Sequence, residues 1–494
     1  MAARNLLAFD LGAESGRAFL GKLENGELTL EEKHRFANPN GRMNGHLHWN
    51  VLAQWEELKT GLRKAAMGGD IIHAIGVDTW GVDVGFLDRQ GDLLANPYMY
   101  RDPQTIGILE RAFAKVPRAE LFETTGIQIM QINTLFHLMA MAERKSPILE
   151  NAKTMLFMPD LFNYLFTGEK VAEFSIATTS QMYDPRAKDW ARALLGKLGI
   201  PTHFLPKIVP TATRLANVRA EVMKECGAAG EIPVIATAGH DTAAAVAAVP
   251  VDENAGDWCY ISSGTWSLMG VELREPIINA KSLSLNYTNE GGVGGTIRFL
   301  KNIMGLWLVQ ECRRQWLKEG RELTYAELTR MAAEVRPFQA VIDPNHASFM
   351  APGEMPQKVV AFCESTGQKT PTSPGAVVRV CLESLALTYR KTIEGLEDIL
   401  GKKLNVIHIV GGGTQNELLN QMTADATGKP VIAGPIEATA IGNIGVTAMA
   451  TGDITSLAGL RAIVRRSFPV KRYEPKDRTP WDKAYETYRS VVKE

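Results

Sequence analysis

The sequence predicts a mixed α/β protein of two domains. Three observations predict it: β-branched strands alternate with amphipathic helices, one strand–turn–strand layout occurs twice, and 494 residues exceed what a single core usually covers.

The elements follow in order. NLLAFDLG is an apolar strand reaching Asp10, and GRAFLGKLENGELTLEEKHRF continues it as hairpin-rich β structure. VLAQWEELKTGLRKAAM has helical periodicity, and IHAIGVDTWG reads as a further strand. The strand EIPVIATAG leads into AGHDTAAAV, where a helix starts near Asp241. PVDENAGD is polar and contains Pro and Gly, which suits a junction near Pro250 and gives domains 1–249 and 250–494.

Beyond the junction, WCYISSGTWSLMGV repeats the layout of LLAFDLGAESGRAFLG. In LKNIMGLWLVQECRRQW, residues Leu300, Ile303, Met304, Trp307 and Leu308 fall at i, i+3, i+4, i+7 and i+8, which predicts one helix with a buried face. Asn302 and Gln310 lie off that stripe. LNVIHIVGGGTQNELLNQMTADATG runs from a β-branched strand through Gly411, Gly412 and Gly413 into an amphipathic helix, and a short amphipathic tail closes the chain.

Composition narrows the function. Lys+Arg 54 against Asp+Glu 55 leaves a formal charge of -1, so no net field draws the chain to nucleic acid or an anionic membrane. A small-molecule partner is expected. No stretch approaches the roughly 18 unbroken apolar residues of a membrane span, and Asp10 interrupts the N-terminal apolar run, which predicts a soluble cytoplasmic protein without a secretory signal. Five single cysteines form neither zinc-ligand spacing nor a disulfide framework; whether Cys363 and Cys381 pair depends on Cβ geometry that spacing does not fix.

Asp241 has two readings from its surroundings: a carboxylate capping the Ala-rich helix, or a base held ionised at a helix N-terminus. The turn at Gly12–Gly16 and the turn holding Ser263, Gly264 and Thr265 can each present backbone N–H groups to an anion, or can be ordinary hairpins. Asp78 and Asp83 read equally as backbone-bonding carboxylates, Trp80 as a core residue, and His240 as a satisfied buried imidazole.

Taken together, DLGAESGR, GVDTWGVD, YRD, GHDTA, SSGTWSLMG, NEGG, LKNIMGLWLVQ and GGGTQN resemble the FGGY carbohydrate kinases, within the actin, hexokinase and heat-shock-ATPase architecture, from Asn5 to about Thr451. The resemblance implies two duplicated ribonuclease-H-like (actin-like ATPase) lobes with an interlobe active-site cleft, sugar and catalytic base in the first lobe and nucleotide in the second. It implies ATP-dependent phosphorylation of a sugar hydroxyl with Mg²⁺. The joint wording of the motifs is most similar to the branch that phosphorylates L-rhamnulose at O1 in L-rhamnose catabolism, with L-fuculose or ribulose kinases as alternatives and a non-kinase nucleotide-gated binding protein as a more distant one. Oligomeric state is left at monomer or small homo-oligomer.

Carried onto this sequence, the resemblance makes Asp241 the base and Asp10 the contact to Mg²⁺ through water. It assigns ATP to Ala13, Glu14, Ser15, Gly16, Arg17, Thr265, Gln310 and Gly412, and the sugar to Gly81, His240, Asp241, Thr242 and Asn302. Two positions depart from the family pattern. Glu14 stands where Ser or Thr is usual, which requires its side chain to point away from phosphate, and Asn50 stands where Asp is expected.

Overall fold

Strand β1 (Arg4–Leu11) is buried from Asn5 onward, so both its faces must be covered, as expected for a central strand with a parallel neighbour. In the computed structural model, which describes residues 3–38, 40–69, 71–252 and 256–492, it lies at the centre of one of the two large sheets. Of the expected junction, residues 253–255 lie outside the described residues. The chain forms two compact units that alternate along the sequence: unit 1 is Met1–Asp252, Glu272–Leu300 and Glu437–Phe468, and unit 2 is Glu253–Val271, Lys301–Ile436 and Pro469–Glu494.

In unit 1, β1 pairs antiparallel with β2 (Ser15–Glu24), which pairs antiparallel with β3 (Glu27–Ala37); on its other side β1 runs parallel to β4 (Ala74–Thr79). The order β5 (Thr213–Asn217), β6 (Pro233–Ala236), β4, β1, β2, β3 completes the sheet. Helix α1 (Val51–Met67) starts at Asn50, whose side chain accepts from the Ala53 N–H, so the amide at this departing position serves as a cap. Gly61 lets α1 approach the sheet, since a Cβ there would lie 2.8 Å from both Ala18 and Phe9. Helix α2 (Asp241–Ala247) packs on the helix Ala438–Ala450 even more closely: a Cβ on Gly442 would lie 1.8 Å from the Ala244 carbonyl oxygen.

Unit 2 repeats the plan. Strands β7 (Trp258–Ser263) and β8 (Trp266–Leu273) pair antiparallel, β8 neighbours β9 (Ile297–Met304), and β7 runs parallel to β10 (Val406–Val410). Both sheets therefore contain one run, β3–β2–β1–β4 in the first and β9–β8–β7–β10 in the second, which the repeated strand–turn–strand layout foreshadows, and in the second the edge strand Thr288–Gly291 pairs antiparallel with β9. In unit 2 the order continues through β11 (Val431–Ala433) to β12 (Lys471–Tyr473).

The single helix expected over 300–316 is not formed. β9 runs to Met304 and helix α3 (Trp307–Lys318) starts after a turn at Gly305. Gly305 lies so close to Trp266 and Ser267 that a Cβ would fall within 2.5–2.8 Å of them. The helical spacing was produced by a strand's buried positions running into a helix's, and strand pairing overrides the local pattern.

All five cysteines are buried free thiols. In unit 2, burial and the neighbouring Cys381 push the Cys363 thiol up to about 12. No helix among the described residues is long and apolar enough to cross a membrane.

Candidate active site

Sheet register assembles the first part of the site. Asp10 sits opposite Arg17 in the antiparallel pair β1–β2 and opposite Asp78 in the parallel pair β1–β4, giving a row of three charged side chains across the strands. Arg17 Nη2 donates to Asp10 Oδ2 at 2.7 Å, and its Nη1 donates to Glu437. Burial raises the pKa of Asp10 although Arg17 opposes the shift. Asp78 is fully buried; its Oδ2 accepts from Asn443 Nδ2 at 2.6 Å, and Oδ1 has no partner among the described residues. Its carboxyl is pushed well above the ordinary range by burial and then by the Asp10 charge.

The turn after β4 meets the start of α2 through the Thr79 N–H, which donates to the Gly239 carbonyl at 2.9 Å. Buried Glu173 accepts from the Gly239 N–H at 3.0 Å and from the Ser175 hydroxyl at 2.6 Å, and that hydroxyl accepts from the His240 N–H at 3.2 Å. The GHDTA segment is thus pinned by its backbone. The N-cap position of α2 is His240, without a side-chain capping bond, and Asp241 is the first helical residue. Its carboxylate does not cap the helix from the N-cap position: Oδ1 accepts from the Thr242 hydroxyl at 3.1 Å. Burial, and next the Asp10 charge, push Asp241 up to about 7.

Gly81 lies against His240, where a Cβ would come 3.3 Å from Nε2. The next residue, Val82, is held at φ 70°, a costly conformation for a β-branched side chain, while its N–H donates to Thr179 Oγ1 at 3.1 Å. Asp83 is more than the backbone-bonding carboxylate of the simpler reading. Its Oδ2 accepts from the indoles of Trp49 and Trp80 at 2.6 and 2.8 Å, besides the Tyr100 N–H at 3.3 Å. The two indole rings pack with centroids 4.1 Å apart. Burial raises Asp83 to about 7.

Of the residues expected to hold ATP, Ala13 and Glu14 lie in the β1–β2 turn and Ser15, Gly16 and Arg17 begin β2, the turn being closed by the Gly12 N–H donating to the Ser15 carbonyl at 3.0 Å. Glu14 is exposed there, and Gly16 is required by packing, since a Cβ would strike the Phe36 ring at 2.1 Å. In unit 2, the Thr265 carbonyl accepts from the N–H groups of Gly305 and Trp307 at 3.2 and 3.1 Å, tying the β7–β8 turn to α3 one turn ahead of Gln310. Gln310 Oε1 is buried with no partner among the described residues. Gly411, at φ 89°, and Gly413 both abut Ser263, whereas a Cβ on Gly412 would face open space. Thr265, Gln310 and Gly412 therefore border one end of the unit 2 sheet. Asn302 lies on β9, in the half that belongs to unit 2.

Sequence reasoning missed Glu173, Arg298, Glu437 and Asn443. Asn443 and Glu437 come from far along the chain, and only the packing of the helix Ala438–Ala450 on β1 and β4 brings them to the row. Among the described residues no group of three His, Cys, Asp or Glu side chains forms a ready metal cage; hard oxygen donors in this region include the carboxylates of Asp10 and Asp78.

The chain is similar to known proteins over nearly its whole length. The description "FGGY family of carbohydrate kinases, N-terminal domain" matches residues 5–248, and its C-terminal counterpart matches residues 259–451. The chain is 44% identical over 491 residues to a rhamnulokinase of Bacteroides thetaiotaomicron, covering 99% of this chain and 100% of that protein. It is 40% identical to a rhamnulokinase of Halalkalibacterium halodurans, covering 96% and 99%. Among solved structures, gluconate kinase from Lactobacillus acidophilus superposes with a TM-score of 0.81 at 16% identity over 99% of this chain and 98% of that one. Plasmodium falciparum glycerol kinase with ADP superposes with a TM-score of 0.76 at 15% identity over 99% and 96%.

Proposed function

Since the chain belongs to the FGGY family of carbohydrate kinases, we propose that it transfers the γ-phosphoryl group of ATP to O1 of L-rhamnulose, giving L-rhamnulose 1-phosphate in cytoplasmic L-rhamnose catabolism. The observation that carries the reaction is Asp241: a carboxylate fixed at the start of α2, partly open to solvent, with a proton affinity near neutrality. The substrate rests on the similarity to rhamnulokinases over nearly the whole of both chains.

Phosphoryl transfer to an alcohol needs in-line placement, neutralised phosphate charge and an acceptor for the hydroxyl proton. Asp241 supplies the acceptor, and Thr242 aims its carboxylate. Gly81, which lies against His240, is assigned to the ketose together with His240, Asp241, Thr242 and Asn302. The turn from Ala13 to Arg17 and, in unit 2, Thr265, Gln310 and Gly412 are assigned to ATP; the unpartnered Gln310 Oε1 supports a polar ligand there. Asp10, buried and already paired with Arg17, suits a contact to Mg²⁺ through water, and the ion supplies charge neutralisation of the phosphates when bound.

A panel of L-rhamnulose, L-fuculose and L- and D-ribulose, read by ADP release in a coupled assay, tests this. L-Rhamnulose should give the highest kcat/KM, and ADP release should depend strictly on a ketose. A different best substrate overturns the substrate assignment; ketose-independent release favours a nucleotide-gated binding protein.

A further inference from the structure

Arg298, on β9, lies outside the residues assigned above, and its side chain is fully buried. Its Nε donates to the Gly291 carbonyl at 2.8 Å, and Nη2 donates to His240 Nδ1 at 3.0 Å while standing 3.3 Å from Glu290 Oε2. The third nitrogen, Nη1, is buried without a partner among the described residues. Enclosing a cation that is left partly unsatisfied does little for stability, so the arrangement calls for another reason.

A guanidinium has donors only, so the His240 nitrogen that faces it must present a lone pair. Burial, followed by the Arg298 charge, pushes the His240 pKa well below its ordinary value, and the ring is neutral at physiological pH. A neutral imidazole that accepts at Nδ1 carries its proton at Nε2. The competing arrangement, Nδ1–H donating to Glu290, is disfavoured because Oε2 stands 3.5 Å away, farther than Arg298 Nη2. Nε2 is the ring atom that lies against Gly81, and it stands 3.4 Å from Asp241 Oδ1.

We propose that Arg298 is a positioning residue that locks His240 in its Nε2–H tautomer, so that the imidazole donates to an oxygen of the ketose bound beside Asp241. The inference rests on the kinase reading above and adds a specificity device to it. A donor whose direction and proton are fixed selects substrates that place an acceptor oxygen at that point, and a ligand lacking it leaves the N–H unpaired.

The test begins with ligand-free enzyme carrying ¹⁵N-labelled histidine, the His240 ring being assigned by its loss in His240→Gln. Two-bond correlations should show Nε2 protonated and Nδ1 bare. In Arg298→Met the ring should redistribute towards the Nδ1–H tautomer, and the KM for L-rhamnulose should rise on the order of tenfold while the KM for ATP is unchanged. Arg298→Lys, which retains a donor and a charge, should keep the tautomer and recover part of the affinity. A proton on Nδ1 in the unaltered enzyme overturns the proposal, and so does an unchanged tautomer in Arg298→Met or an unchanged ketose KM. Should Arg298→Met not fold, the spectra of the unaltered enzyme and of Arg298→Lys still decide. Failure to phosphorylate any ketose with the Nε2–H tautomer intact would instead strike the kinase reading alone.

Discussion

Asp10 and Asp78 occupy the same rung of the parallel pair β1–β4, and burial, with the Asp10 charge next, drives the proton affinity of Asp78 upward. Arg17, opposite Asp10 on β2 in the same row, offsets only part of this concentration of negative charge. Apposed carboxylates of this kind are costly without a cation.

Activity should accordingly require Mg²⁺ or a comparable hard cation. Asp10→Ala should lower kcat far more than it raises the ketose KM, because the carboxylate's proposed partner is the metal–phosphate unit. Turnover that persists in EDTA, or a variant defective only in ketose binding, would contradict the assignment.

For Asp241, replacement by Asn should preserve fold and ketose binding and reduce phosphorylation at least about 10²-fold, the typical loss on removing a general base. A base must be deprotonated to act, so in the intact enzyme kcat/KM should climb with pH through about 7 and then level off. A pH-rate profile checks the second expectation, and a limb that falls over the same range would reverse it.

Asp83 offers a stability readout that is independent of turnover. Its pKa is raised on folding to about 7, so its contribution is fully favourable below the unfolded value of about 3.9 and is lost as pH rises through about 7. Asp83→Asn keeps an acceptor for the two indoles and removes the buried charge. Thermal unfolding should therefore show the variant gaining on the unaltered protein at pH 8, with the advantage shrinking towards pH 5.

Gly442→Ala should destabilise unit 1, because the added Cβ would meet the Ala244 carbonyl at 1.8 Å and force the helix Ala438–Ala450 away from α2. A loss of about 1–3 kcal/mol is expected, visible as a lower Tm. An unchanged Tm would show that the two helices separate at little cost.

Much of this was legible in the chain. The segments carrying Asp10, near the end of β1, and Asp241, at the start of α2, were visible because an apolar strand leads into each and small residues follow. Arg298 was not, since an Arg within GTIRFLKN reads as a solvent-facing strand residue, and its burial depends on a histidine 58 residues away. Asn50 stood out as a departure from the family pattern, and its side chain caps α1, a role evident from the helix that follows it. The helix assigned across Gly305 failed because two elements of different period met in phase, which only the pairing of β8 with β9 resolves.

The alternation of the units along the chain bears on synthesis. The polypeptide changes unit after Asp252, Val271, Leu300, Ile436 and Phe468, so the helix that covers β1 and β4 leaves the ribosome long after those strands do. Until then the nascent unit 1 exposes an apolar sheet face and lacks Asn443, the partner of Asp78. Its native packing must be completed late in translation, and a nascent chain arrested before Ala438 should bind a holdase chaperone that one arrested after full emergence of Phe468 does not.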